Sequence, residues 1–251
     1  MLAVGVMTFP RHGVNYLPGT LSSLRLQSSG RASPIACVGK DDRSHVPVDA
    51  ACFPMDEDEW LGIAAMPSLY RITRTMLHTF RSIRRADADL YAVFEDDVLV
   101  SRDWDVKAAK FADIANKSIG TSWVMALCSS HDECAFDVVG RGIGSRLFKH
   151  KDPRQFWGQQ AMLYPVLVFD EIIAYLSDAV SSWDTESRVV PVDTDHNYRR
   201  CGDQAIKWFC WDTTRPLLVT DPSIAMHVGQ ECSWSGGPSV AFQHPTKRFV
   251  Q

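Results

Sequence analysis

The sequence predicts an α/β protein, with a mixed, mostly parallel central sheet flanked by helices. Three features predict it. Short apolar runs such as "LAVGVMTFPR", "PIACVGKDD" and "SWVMALC" end in turn or polar residues, as buried strands do. Between them lie stretches whose apolar residues recur every three or four positions, the period of a helix face. Strand, helix and strand alternate through the N-terminal part, which favours parallel pairing.

The elements follow in order. "LAVGVMTFPR" is a buried strand closed by Pro10. In "NYLPGTLSSLRLQSS", Leu17, Leu21 and Leu24 share a helix face, and Pro18 and Gly19 confine that helix to its later part. "PIACVGKDD" and "VDAACF" are the second and third strands. "SLYRITRTMLHTFRSIRRA" has the most regular helical period, through Leu69, Ile72, Met76, Phe80 and Ile83, with Ser68 as cap. Its arginines, Arg71, Arg74, Arg81, Arg84 and Arg85, fall largely off that stripe and read as a solvated basic face. "YAVFEDDVLV" is a central strand, "WDVKAAKFADIAN" a helix and "SWVMALC" a strand. Residues 129–155 are polar, contain Gly140, Gly142 and Gly144, and read as loop or irregular structure. "FWGQQAMLYPVLVFDEIIAYL" is a strand, a break at Pro165 and a helix. "GDQAIKWFCW" is a short helix, and "PLLVTDPSIAMHVG" a broken strand ending at His227. The tail after Gly236 reads as loosely structured.

Bulk properties narrow the function. The 251 residues suffice for one sizeable core, and no linker or repeat divides residues 1–251 into separate domains. An apolar content of 45% with 22% charge describes a soluble globular chain. The net charge of −4 argues against a generally basic nucleic-acid binder. Seven cysteines without paired spacing read as reduced thiols, hence a cytoplasmic setting. "MLAVGVMTF" lacks the basic start of a secretory signal, and no run reaches the roughly 18 apolar residues of a membrane span.

The chemistry concentrates in "YAVFEDDVLV". Glu95, Asp96 and Asp97 interrupt an apolar run that resumes at once, which a solvated loop would not do. On a regular strand Glu95 and Asp97 point the same way. Ligands of α/β sheets bind beyond strand carboxyl ends. Clustered carboxylates repel unless a cation joins them, and oxygen ligands suit Mg²⁺ or Mn²⁺. "CSSHDEC" offers Cys128, His131 and Cys134 as a weaker metal set, for zinc, with no fourth ligand in evidence. The tryptophans Trp157, Trp208, Trp211 and Trp234 offer a sugar-stacking platform, although core packing is their commoner use.

These segments together resemble glycosyltransferases of the GT-A (Rossmann-like) fold. "VFEDDVLVSRDW" resembles the Glu-Asp-Asp segment of lipopolysaccharide glycosyltransferase family 25 and of N-acetylglucosaminyltransferases. "VGVMTFPRHGVNYLPGTLSSL" is similar to their opening strand, loop and helix, "WGQQAMLYP" to a strand on the acceptor side, and "PSIAMHVG" to a late segment whose histidine reaches metal or diphosphate. "CGDQAIKWF" stands where the family places its catalytic acid, without the double acid often found there.

The resemblance implies a metal-dependent transferase of the hexosyl- or pentosyltransferase type, moving sugar from a nucleotide-sugar to an acceptor hydroxyl. Asp97 and Glu95 would hold Mn²⁺ or Mg²⁺, with His227 as third ligand. Asp96 would share that task or bind the ribose. Asp203 would be the general base, with Asp193 and Asp195 as alternatives and helix capping as its ordinary role. Thr8, Pro10 and Arg11 would line the base pocket. Asp41, with Asp42 beside it, would accept from a uracil N–H, favouring UDP, and Arg74 would face the diphosphate. Residues 1–100 would form the nucleotide-sugar half, 101–235 the acceptor half and 236–251 a tail. The acceptor would be a saccharide, with a modified DNA base as a remoter option. The alternatives from the same residues are a nucleotidyltransferase or other Mg²⁺-dependent phosphate enzyme, and a non-catalytic binding protein.

Overall fold

The computed structural model describes residues 1–8, 14–30, 34–38, 51–55, 68–128, 135–142, 144–156, 160–186, 202 and 204–229. In chain order the elements are β1 (Leu2–Thr8), α1 (Leu17–Leu26), β2 (Pro34–Val38), β3 (Cys52–Pro54), α2 (Ser68–Ile83), β4 (Leu90–Glu95), β5 (Val98–Val100), α3 (Trp104–Ile119), β6 (Val124–Ala126), β7 (Phe136–Gly142), β8 (Ser145–His150), β9 (Ala161–Pro165), α4 (Val166–Glu186), α5 (Gln204–Asp212), β10 (Leu217–Asp221) and β11 (Ala225–His227). The expected α/β class is present, one central sheet flanked by helices. Among the described residues nine strands form one sheet in the order β3-β2-β1-β4-β9-β6-β10-β8-β7, and β5 and β11 form a small second sheet. Pairing is parallel from β3 through β4 and again between β6 and β10. β9 runs against both its neighbours, and so does β8. Among the described residues the sheet is therefore mixed rather than mostly parallel, with four parallel and four antiparallel neighbouring pairs and its longest parallel run over β3, β2, β1 and β4.

Both faces of the sheet are covered, which explains why its central strands carry no polar face. Ala3 and Met7 of β1 and Tyr91 and Val93 of β4 pack with Met76, Phe80, Phe169 and Phe209, from α2, α4 and α5. The alternate residues, Val4, Val6, Ala92 and Phe94, pack with Leu17, Leu21, Leu24, Trp104 and Phe111, from α1 and α3. This is the two-residue alternation of a strand applied to two apolar layers.

Three expectations change. α1 begins at Leu17 rather than after Gly19, because a proline in the first turn removes no intrahelical hydrogen bond. The arginines at the end of α2 are not a free solvated face. Arg84 donates to Asp170 of α4 at 2.5 and 3.0 Å and lies 5.6 Å from the Tyr91 ring, Arg81 donates to Ser177, and Arg85 lies 5.7 Å from the Phe53 ring. The stretch 129–155 is not wholly irregular, since β7 and β8 form a hairpin at the sheet edge. Gly140 and Gly142 answer to packing: a Cβ on them would stand 2.4 Å from Ile114 Cγ2 and 3.1 Å from Ile114 Cδ1 of α3.

Candidate functional site

The strand order sets the location. β2 lies on one side of β1 and β4 on the other, so the chain switches direction between β1 and β4. Such a switch leaves a crevice at the strands' carboxyl ends. Thr8 ends β1 there, Glu95 ends β4, and Asp96 and Asp97 form the turn that follows.

After that turn the chain leaves the main sheet. β5 pairs antiparallel with β11, placing His227 opposite Val98. The Val228 N–H donates to the Asp97 carbonyl at 2.8 Å, which extends the ladder past the turn. This pairing delivers His227 to Asp97, with Nε2 2.9 Å from Oδ2. One ligand atom each from Glu95, Asp97 and His227 lies within 4.8 Å of the other two. Gly229 closes the back of the pair, and a Cβ there would stand 2.0 Å from Asp97 Oδ2 and 3.1 Å from His227 Nε2.

Asp96 turns the other way. Its Oδ2 accepts from the Thr8 hydroxyl at 2.6 Å and its carbonyl from the Thr20 hydroxyl at 2.6 Å. Thr20 Oγ1 in turn accepts from the Val98 N–H at 3.1 Å, and Ser23 Oγ accepts from the Val100 N–H at 3.0 Å. The Glu95 N–H donates to the Gln160 carbonyl at 2.8 Å. β1, α1 and Gln160, the residue before β9, thus fix the acidic turn from three sides. Glu95 and Asp97 converge on His227, while Asp96 turns to Thr8 and Thr20.

The field at the turn is negative. Burial pushes the Cys128 thiol up to about 12, and the Glu95 and Asp97 carboxylates push it in the same direction. Two carboxylate oxygens and an imidazole nitrogen suit a first-row divalent ion such as Mn²⁺. Ligands at about 2.1 Å from one ion stand at most about 4.2 Å apart, so these three close on an ion with small shifts.

Thr8 and Asp96 are at the crevice but are 0% and 3% exposed and bonded to each other. Arg74 is half-buried on α2, its guanidinium 6.0 Å from the Tyr70 ring. Pro10, Arg11, Asp41, Asp42, Asp193, Asp195 and Asp203 lie outside the described residues. So do His131 and Cys134, the proposed partners of Cys128, and the tryptophans Trp157 and Trp234. Trp211 is 43% exposed, with the Arg154 guanidinium 3.8 Å from its ring. Sequence reading missed Thr20, Ser23 and Gly229. Their signal was faint: two small hydroxyls one turn apart on an apolar helix, and a glycine two residues after the histidine.

No protein-family model and no curated protein matches the chain. Solved structures similar to it include mannose-1-phosphate geranyltransferase from Thermus thermophilus, with 11% identity, TM-score 0.49, covering 87% of this chain and 73% of that one. Another is CMP:2-keto-3-deoxy-manno-octonic acid synthetase complexed with CTP, with 12% identity, TM-score 0.40 and coverage of 87% and 89%. A third is mouse xyloside xylosyltransferase 1, with 8% identity, TM-score 0.42 and coverage of 86% and 84%. Likenesses this distant carry no argument about the activity of this chain.

Proposed function

We propose that this protein is a metal-dependent GT-A glycosyltransferase, moving a sugar from a nucleotide-sugar, a UDP-sugar by preference, to an acceptor hydroxyl with inversion. The observation that carries the reading is the convergence of Glu95, Asp97 and His227 at the carboxyl end of β4, beside the β1/β4 switch point. The order of sequence segments resembling that family supports it. Residues 1–100 hold the donor in this reading, and 101–235 the acceptor.

Asp97, Glu95 and His227 hold the divalent ion, Mn²⁺ or Mg²⁺. When bound it supplies Lewis-acid neutralisation of the departing diphosphate. Asp96 is a positioning residue: its bonds to Thr8 and Thr20 keep Asp97 aimed at His227. Asp203 takes the proton of the acceptor hydroxyl as that oxygen attacks the anomeric carbon, and direct displacement inverts the configuration. Asp41 accepts from the uracil N–H, and Arg74 faces the diphosphate charge.

The test incubates the protein with Mn²⁺ and a panel of nucleotide-sugars and measures free UDP and GDP. Wild type is expected to release nucleotide, while Asp97→Asn and Asp203→Asn fall at least about a hundredfold yet remain folded by circular dichroism. Absence of release from every donor, together with absence of Mn²⁺ binding, removes the reading. Pyrophosphate formed instead from a nucleoside triphosphate and a sugar phosphate replaces it with nucleotidyl transfer.

A further inference from the structure

A cavity of about 280 Å³ lies at the same end of the sheet as the carboxyl end of β4, on the α3 side. Lys107, Lys110 and Phe111 of α3 line it, with Ser145 at the start of β8, Pro222 and Ile224. The topology fixes that end. β9 runs against both β4 and β6, and β10 runs with β6, so β10 ends at the side where β4 ends. β8 runs against β10 and therefore starts there. The chain passes from Pro222 through Ile224 into β11 and reaches His227 three residues later, about 10 Å in extended chain. Cavity and acidic triad are thus neighbours on one short segment.

Their charges are opposite. In a protein of net charge −4, this cavity is lined by two lysines and no carboxylate. Lys107 is half-buried and donates to Ser101 Oγ at 3.0 Å. Neither Lys107 nor Lys110 has a carboxylate within ion-pair distance among the described residues, and the half-buried Ser145 hydroxyl has no hydrogen-bond partner among them. Burial acts against the Lys107 charge, and the Asp103 carboxylate one turn back offsets only part of that effect; a bound anion relieves the remainder. Phe111 and Ile224, 3% and 2% exposed, give the cavity an apolar wall. The volume sits at the small end of small-molecule sites, too small for a polymer.

From these observations we infer that the cavity is a phosphate site, with Lys107, Lys110 and Ser145 taking the phosphoryl group of a small phosphate monoester. Its role, resting on the glycosyltransferase reading, is to seat a phosphorylated acceptor whose hydroxyl reaches the triad. The phosphate-binding step itself does not depend on that reading.

The experiment titrates metal-free protein with inorganic phosphate, then with glucose 6-phosphate against glucose, by calorimetry. Wild type binds phosphate and glucose 6-phosphate and not glucose. The Lys107→Met/Lys110→Met double variant weakens both at least about tenfold. Lys110→Glu, at an exposed position where folding is not at stake, does the same. Lys117→Met, on α3 away from the cavity, leaves binding unchanged. The inference is overturned if wild type does not bind phosphate below about 10 mM, well short of even millimolar affinity. It is equally overturned if the cavity variants bind as wild type does, or if Lys117→Met weakens binding as much. Phosphate binding that persists when every donor releases no nucleotide and Mn²⁺ does not bind keeps the site and removes the transferase reading.

Discussion

Gly229→Ala is the sharpest probe of the proposed metal centre. The added Cβ would stand 2.0 Å from Asp97 Oδ2 and 2.8 Å from its Cγ, whereas real Cβ contacts essentially never fall under 3.0 Å. The carboxylate, or the backbone carrying Gly229, must therefore retreat by about 1 Å or more. The Asp97 side chain is 3% exposed, and Oδ2 is the atom that meets His227 Nε2 at 2.9 Å. Moving it breaks that bond in a buried setting. The loss of a hydrogen bond to a charged group is about 1.5 to 3 kcal/mol, and overpacking costs of order 1 to 3 kcal/mol. Taking about 3 kcal/mol together, the melting temperature of a 251-residue chain should fall by roughly 6 to 12 °C. Misaligned ligands should also lower Mn²⁺ affinity by about 10- to 100-fold, the usual effect of disturbing a ligand's support. Calorimetric Mn²⁺ titration and thermal melts with and without Mn²⁺ measure both. A variant that melts and binds Mn²⁺ as wild type does would refute the packing of Gly229 on the Asp97–His227 pair and weaken the metal centre with it.

Two further outcomes follow from the support around the turn. Thr20→Val removes the acceptor of the Val98 N–H and the donor to the Asp96 carbonyl, both buried, and should cost about 2 to 4 kcal/mol in denaturant unfolding; an unchanged midpoint would mean that α1 does not pin the turn. Asp105 of α3 provides the pH dependence. Burial acts to raise its pKa, but the Ser29 N–H, the Ser29 and Ser28 hydroxyls and the Val106 N–H outweigh it and hold the carboxyl below the usual carboxylate range. Folding therefore favours the ionised form. That stabilisation is present above the unfolded value of about 3.9 and is lost as pH falls through the lower folded value. Asp105→Asn should be less stable than wild type by about 1.5 kcal/mol at pH 7, with the gap closing below about pH 4; a gap independent of pH would show that the carboxylate charge does not matter.

The sequence was most legible where one segment settles its own state. The spacing of Met76, Phe80 and Ile83 gave α2, and the apolar run before Glu95 gave β4, because periodicity is a local property of the chain. It was least legible at β7, a partly exposed edge strand with a weak apolar pattern, whose Gly140 and Gly142 answer to Ile114 on a distant helix rather than to a turn. The arginines of α2 were misread for the same reason, since Asp170 and Ser177 come from α4.

At the site the division is similar. The sequence by itself determined that three acids close a buried strand, a placement too costly to leave without a counter-charge. It also placed a histidine at the end of a late strand. Only the tertiary structure decided that Glu95 and Asp97 face His227 while Asp96 faces Thr8 and Thr20. The alternation of side chains along a strand allowed that split, but the choice of side rests on contacts between residues far apart in the chain. His227 lies 130 residues beyond Asp97 and reaches it because β5 leaves the main sheet to pair with β11. Such pairings depend on the packing of the whole molecule, and no window of sequence contains them.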